Sequence, residues 1–174
     1  MRIEKDLCTY SNCVEEDAMN TMDWKKTLYE NDSDVREFEV PEGVSFIDSE
    51  CFANNVRIEH VILPASLRDI GVGAFAGCTS LKSINIPEGV TRLRKSTFTG
   101  CHSLHEVTLP ESLTGIGEWA FRDCPALKKI RIPKGVTDIC AEVFLGDADL
   151  VIEAEPGSFA EEYALKFGIS PNLP

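Results

Sequence analysis

The sequence predicts a single domain that is a right-handed solenoid of parallel β-strands, with about six coils of 23 residues and a helical cap at each end. Two series of residues predict the coils. An aromatic residue recurs every 23 residues, at Tyr29, Phe52, Phe75, Phe98, Phe121 and Phe144. A proline recurs with the same period, at Pro41, Pro64, Pro87, Pro110, Pro133 and Pro156. Short alternations of apolar and polar residues lie between them, which is typical of strands.

Each coil is expected to add a strand to one or two parallel sheets and to turn a tight corner. The stretch "LKSINIP" places Ile84 and Ile86 on one face, and the proline after it ends the strand because it cannot donate to a ladder. The stretch "GAFAGC" predicts a turn or a short helical corner. Further apolar columns repeat with the same period, and one of them runs through Val44, Leu67, Val90, Leu113, Val136 and Phe159. A coil this short must stack on its neighbours to enclose a core.

The repeat resembles that of the BspA-like leucine-rich repeat family. The stretches "LKSINIPEGVTRLRKSTFTGC" and "LHEVTLPESLTGIGEWAFRDC" match the family pattern nearly position for position. The resemblance implies a leucine-rich-repeat solenoid, assigned to residues 29–151. It also implies a bacterial or protist surface protein that takes part in adhesion and protein binding.

Residues 1–28 are predicted to form an N-terminal helical cap, because Val14, Ala18 and Met22 are spaced four residues apart. Terminal coils need such caps, since an open coil would stack on other molecules. Capped ends favour a monomer.

Residues 152–174 are predicted to form a C-terminal cap with a short helix. Glu153 falls where the strand core should be apolar, so the alternation is expected to shift there. Ser158 and Glu161 have the spacing of a capping box. Phe159, Tyr163 and Phe167 then form an aromatic stripe along the helix.

The formal net charge of −12 argues against a nucleic-acid partner, because phosphate binding needs a basic surface. No stretch approaches the ~20 apolar residues of a membrane span. The N-terminus lacks the apolar region of a signal peptide. Two locations stay open: the cell surface or outside, as the resemblance implies, and the cytoplasm.

The cysteines Cys78, Cys101 and Cys124 recur three residues after an aromatic residue, where other coils have Asn55 or Asp147. These residue types share small size and polar contacts with the backbone of a turn. Buried structural thiols are therefore expected, rather than a metal site or a redox centre. Two cysteines precede the repeats, Cys8 and Cys13, and are the pair with a reasonable chance of oxidation.

No motif with a catalytic mechanism is found: neither a glycine-rich phosphate loop nor HExxH, GxSxG or CxxC occurs. His60 and His105 fall on outward strand positions ~10 Å apart at the strand spacing, too far to share a metal. The protein is predicted not to be an enzyme and to need neither a cofactor nor a metal.

Outward strand positions are the candidate binding surface, predicted to be acidic at one end and basic at the other. The basic end comprises Lys128, Lys129 and Arg131, with Lys134 beyond it, and His105 lies one coil before. The competing explanation is that this face is charged only because it is exposed to solvent, and that it binds no partner.

Trp119 and Phe46 stand where other coils have polar or small residues, which suggests exposed sites. An exposed tryptophan is a candidate hot spot for a protein partner. The competing explanation is that Trp119 packs over a neighbouring side chain.

The predicted function is non-catalytic protein binding, in adhesion or in recognition of a host or cell-surface protein. The alternative is an intracellular acidic inhibitor or scaffold that binds a basic partner. Unpaired thiols favour the alternative, because the cytosol keeps thiols reduced.

Overall fold

The computed structural model describes residues 35–172, and all structural statements refer to that part of the chain. The predicted N-terminal cap lies outside it, as do Cys8 and Cys13. Seven strands of three residues form one column: β1 (Glu37–Glu39), β3 (His60–Ile62), β5 (Ser83–Asn85), β7 (Glu106–Thr108), β9 (Lys129–Arg131), β11 (Val151–Glu153) and β12 (Ser170–Asn172). Five strands of two residues form another: β2 (Phe46–Ile47), β4 (Asp69–Ile70), β6 (Arg92–Leu93), β8 (Gly115–Ile116) and β10 (Asp138–Ile139). One helix, α1 (Phe159–Phe167), lies between β11 and β12.

The strands pair in parallel, which confirms the predicted solenoid. The longer strands form the sheets β1-β3-β5-β7 and β9-β11-β12, and β7 packs beside β9. The shorter strands form the sheets β2-β4 and β6-β8-β10. Ile84 aligns with both Val61 and Val107, so equivalent residues of successive coils lie side by side. The 23-residue period of the sequence therefore sets the register between neighbouring strands.

A stack of phenylalanine rings fills the core behind the corners. Phe52, Phe75, Phe98, Phe121 and Phe144 have centroid separations of 5.0 to 5.6 Å and nearly parallel planes. Phe38 closes one end at a tilt, 5.8 Å away, and Tyr163 closes the other edge-on at 6.2 Å. The repeated aromatic residue is therefore the axis on which neighbouring coils pack.

Corners are turns, as "GAFAGC" predicts. The residue before each cysteine position has a left-handed backbone: φ is 72° at Gly77 and 73° at Gly100. Asn54 and Asp123 adopt the same conformation in their coils. Glycine, asparagine and aspartate are the residues that accept it at least cost.

The C-terminal cap contains the expected helix, with Ser158 as the N-cap. The Ser158 Oγ accepts a hydrogen bond from the Glu161 N–H at 3.3 Å. Glu161 in turn accepts one from the N–H of Gly157, one residue earlier than in a standard capping box, at 2.5 Å. The buried side of α1 comprises Ala160, Tyr163 and Ala164.

The aromatic stripe predicted for α1 lies on the helix but is only partly buried. Tyr163 is buried, but Phe159 and Phe167 are each 42% exposed. Phe159 therefore does not continue the apolar column of Val44, because the helix replaces that part of the coil. The shifted alternation is confirmed, since Ile152 aligns with Ile130 at a spacing one residue shorter than the repeat.

Candidate functional site

The outward face of the longer strands carries the candidate binding surface. A shallow groove of about 500 Å³ crosses β1, β3, β5 and β7. Its outward side chains are Glu37, His60, Ile62, Ser83, Asn85, Glu106 and Thr108. Ile62 is 47% exposed although it lies within a strand. An apolar centre with a polar surround is the usual anatomy of a protein interface.

Polar contacts between coils lie within this groove and next to the strands that form it. His60 Nδ1 lies 2.8 Å from Ser83 Oγ. Beside them, the Glu59 carboxylate bridges Lys82 and Arg36, the latter at 2.9 Å. The hydrogen bond from Lys82 is the main cause that lowers the pKa of Glu59. Each of these contacts joins neighbouring coils, so the border is set by the stacking.

The basic end of the face is compensated by acidic side chains, which corrects the predicted charge asymmetry. Lys129 Nζ lies 2.6 Å from Glu153 Oε1, and Lys128 Nζ lies 2.9 Å from Asp149 Oδ2. The other pairs are Arg131 with Glu111 and Lys134 with Glu155. The shifted register of β11 places Glu153 on the outward face, beside Lys129. Exposed pairs of this kind contribute little to stability.

Trp119 is half-buried, which agrees with the competing explanation that it packs over a neighbouring side chain. Its Nε1 donates a hydrogen bond of 2.6 Å to the Glu142 carboxylate in the next coil. Lys95 Nζ lies 4.1 Å from the ring centroid, and the Arg122 guanidinium carbon lies 5.4 Å away. The indole is thus held in a cation–π contact between coils. Its φ of 59° is unusual for a bulky residue.

The structure does not gather the predicted residues into one site. His105 is exposed next to β7, and its Nδ1 lies 3.1 Å from the Ser103 carbonyl oxygen. Lys128, Lys129 and Arg131 lie in or next to β9. Phe46 is half-buried in β2, on the other column of strands, beside Asp69. Trp119 lies on a corner turn. A role for any of the six residues in binding stays a prediction.

The recurring thiols are structural, as their column predicts. Each Sγ donates to a phenylalanine carbonyl of the preceding coil, with Cys78 to Phe52 at 3.1 Å and Cys101 to Phe75 at 3.2 Å. Burial raises the pKa of Cys78 to about 12 and that of Cys101 further. Thiols held in the neutral form this way are poor nucleophiles. Within residues 35–172, no group of three or more His, Cys, Asp or Glu residues has a metal-binding arrangement.

One feature was missed at the sequence level: a groove of about 750 Å³ between the last corner turn and α1. Asp147 lines it and is 8% exposed. Its Oδ1 accepts a hydrogen bond from the Cys124 N–H at 2.7 Å, while its Oδ2 has no partner among the described residues. Burial raises the pKa of Asp147 to about 7, with Asp123 adding to the rise and Lys128 opposing it. The signal was an aspartate in the cysteine column of the last coil.

Comparison with known proteins identifies the repeat. The model of the BspA type leucine rich repeat region matches six copies over residues 24–151. The T. pallidum leucine rich repeat protein, TpLRR, is 31% identical with a TM-score of 0.66, and the match covers 71% of this chain and 59% of that protein. A leucine rich cell surface protein from Faecalibacterium prausnitzii is 17% identical with a TM-score of 0.41, covering 79% of this chain and 59% of the other.

No curated protein matches this chain. The described part of the chain contains no helix of the length and apolarity that a membrane span requires. Leucine-rich repeat folds of this type are typically non-enzymatic, and they suggest a protein-binding or recognition module.

Proposed function

Since this chain belongs to the BspA-type leucine-rich repeat family, we propose that it is a non-catalytic protein-binding module that uses the outward face of β1, β3, β5 and β7. The observation that carries the proposal is Ile62, an apolar side chain 47% exposed in a groove with polar walls. Burial of such a residue against a partner is favourable, and the polar surround supplies specificity.

The outward positions of the strands suit recognition because the fold does not depend on them. Inward residues such as Val61 and Ile84 form the core, while His60, Ser83 and Glu106 occupy one outward column with three different side chains. A solenoid can change these positions without losing its stacking. The face therefore combines a rigid scaffold with chemistry that differs from coil to coil.

The first experiment compares Ile62→Glu with Val56→Glu. Both positions are exposed apolar residues, 47% and 57% exposed, but Val56 does not line the groove. Crosslinked capture from cells of the native organism, read by quantitative mass spectrometry, should lose a partner protein with Ile62→Glu and keep it with Val56→Glu. Equal recovery of every protein by both variants contradicts the proposed face.

The second experiment tests the remaining predicted residues. Trp119→Ala and the double change Lys128→Glu/Lys129→Glu are compared with wild type in the same capture. We expect a smaller loss than with Ile62→Glu, because the lysines are already ion-paired and the indole is half-buried. Recovery of every partner with both variants removes these residues from the interface. Arg131, His105 and Phe46 are then scanned singly.

The biological role we propose is adhesion or recognition of a host or cell-surface protein. The alternative, an intracellular acidic inhibitor or scaffold, is favoured by the net charge of −12 and the free thiols of the described region. Fractionation of the native organism with surface biotinylation separates the two. Labelling of intact cells supports adhesion. Protein confined to the cytosol, with capture that weakens steeply as salt rises, supports the alternative.

A further inference from the structure

The corner turns form a ladder of backbone hydrogen bonds that runs in one direction. N–H groups of one coil donate to carbonyls of the following coil. In the middle of the solenoid, the Phe98 N–H donates to the Ala120 carbonyl and the Gly100 N–H to the Arg122 carbonyl, both at 2.8 Å. The other described coils with a successor repeat these bonds, and in the coil of Phe121 they are made by the N–H groups of Phe121 and Asp123.

Within residues 35–172, no further corner turn follows the last one to accept its donors, because the chain continues into α1 and β12. By the register of the ladder, its equivalent N–H groups belong to Glu142, Phe144 and Gly146. Among residues 35–172, none of these three N–H groups has a hydrogen-bond partner. All three residues line the groove of about 750 Å³ beside α1. Unpaired backbone donors along a groove can receive hydrogen bonds from the carbonyl oxygens of a bound peptide.

The groove walls are apolar and acidic. Leu145 is 48% exposed and Phe167 is 42% exposed, and both line the groove with the partly buried Ile169. Three carboxyl groups also line it, and no lysine, arginine or histidine does. The occupant that such walls favour has an apolar stem and a positive charge.

Asp147 is the carboxyl group available to that charge. The Glu142 carboxylate accepts from Trp119, and the Asp149 carboxylate is paired with Lys128. Asp147 lines the groove, is 92% buried and has an oxygen without a partner, because only Oδ1 is occupied. A buried acceptor without a donor is costly, so a ligand that supplies one gains affinity. The soft χ2 torsion of aspartate lets Oδ2 turn toward a ligand.

We propose that this groove binds a peptide segment of a partner protein that carries a lysine. Peptide carbonyls accept hydrogen bonds from the N–H groups of Glu142, Phe144 and Gly146, and the lysine ammonium donates to Asp147 Oδ2. Lysine fits better than arginine because a single oxygen is free, whereas a guanidinium prefers two. The four-carbon lysine stem lies along Leu145 and Phe167. This site is separate from the strand face and does not depend on the function proposed for it.

The test uses acetylated, amidated heptapeptides of Val, Thr and Ser with a central Lys, Arg or Gln, measured against the full chain by fluorescence anisotropy. We expect the Lys peptides to bind best and the Gln peptides about tenfold more weakly. In ¹⁵N NMR spectra, the amides of Glu142, Phe144 and Gly146 should shift on binding. The Phe98 amide, which is already bonded within the ladder, serves as the internal control.

Two variants separate the site from general attraction. Asp147→Asn should reduce binding of the Lys peptides to the level of the Gln peptides. Asp138→Asn removes a surface carboxylate on β10, which is paired with Arg92 of β6, and this change should leave peptide binding unchanged. Leu145→Ser should weaken all three peptide sets about fivefold, because the apolar wall is lost. Thermal unfolding checks that each variant folds.

Several results overturn the proposal. They are failure of all peptides to bind, equal binding of Lys and Gln peptides, and a preference for Lys that survives Asp147→Asn. Concentration-dependent dimerisation that Leu145→Ser abolishes shows that a second copy occupies the groove, which also overturns it. A loss of partner capture by Ile62→Glu with intact peptide binding shows that the two sites are independent.

Discussion

Replacement of Phe98 by alanine removes the central ring of the phenylalanine stack. Phe98 is fully buried, and its ring lies 5.4 Å from Phe75 on one side and 5.4 Å from Phe121 on the other. The coils above and below are joined by strands and corner ladders, so they cannot close the gap. The change therefore leaves a cavity between two faces that both lose a partner.

The expected cost can be estimated from these contacts. Phe→Ala changes in protein cores cost about 3–5 kcal/mol, and each aromatic pair contributes about 0.5–1.5 kcal/mol within that range. Because Phe98 stacks on two rings and is fully buried, we expect Phe98→Ala to lower the free energy of unfolding by about 4 kcal/mol. That is a large share of the roughly 5–15 kcal/mol by which native domains are stable.

Urea unfolding followed by far-UV circular dichroism measures this cost. Leu165→Ala is the control, since Leu165 is 64% exposed and its loss should stay within about 0.5 kcal/mol. Phe144→Ala should cost less than Phe98→Ala, because its outer neighbour Tyr163 packs edge-on at 6.2 Å. A Phe98→Ala cost below about 2 kcal/mol, with the urea dependence unchanged, refutes the stacking account.

Three further predictions concern the cap and the titratable groups. Asp147→Asn should raise the free energy of unfolding more at pH 8 than at pH 5, as measured by urea unfolding at both pH values. The pKa of Asp147 is about 7 in the folded protein, so the wild type gains stability as the pH falls through 7. Equal effects at both pH values contradict that pKa. Iodoacetamide should label the partly buried Cys140 of the native protein before Cys101, as read by peptide mass mapping, because burial raises the pKa of Cys101. Faster labelling of Cys101 would show that the corner opens. Ser158→Ala should lower the free energy of unfolding by about 1 kcal/mol through loss of the N-cap, and no change would mean that α1 is not needed for the stability of the last coil.

Much of the fold follows from the spacing of a few residue types. Phe75 and Phe98 are 23 residues apart, and this repeat predicts both their stacking and the strand register. Cys78 and Cys101 could be assigned to a structural column because asparagine and aspartate replace them in other coils. Phe159 was misassigned for a physical reason: its spacing fits the repeat, but the chain has already turned into a helix that presents Ala160 and Tyr163 to the core.

The candidate sites were less predictable because they depend on contacts between coils. Lys129 was expected to contribute free positive charge, but its charge is compensated because β11 shifts by one residue and brings Glu153 beside it. For Trp119 the sequence left exposure and packing both open, and the contacts that cover it come from Lys95 and Glu142 in the two neighbouring coils. Neither partner is near in sequence.

The amino-acid sequence by itself determined the solenoid, its core columns and its structural thiols, because each of these repeats with a fixed period and needs only a stack of equal coils. The tertiary structure alone decided which charges are compensated, how far Trp119 is covered and where the ladder ends. These properties depend on which side chain of the next coil arrives at a given point, and on what the chain forms after the last corner. After Asp147 the described chain forms α1 in place of a further corner turn, so a turn position that is filled and paired elsewhere lines an open groove.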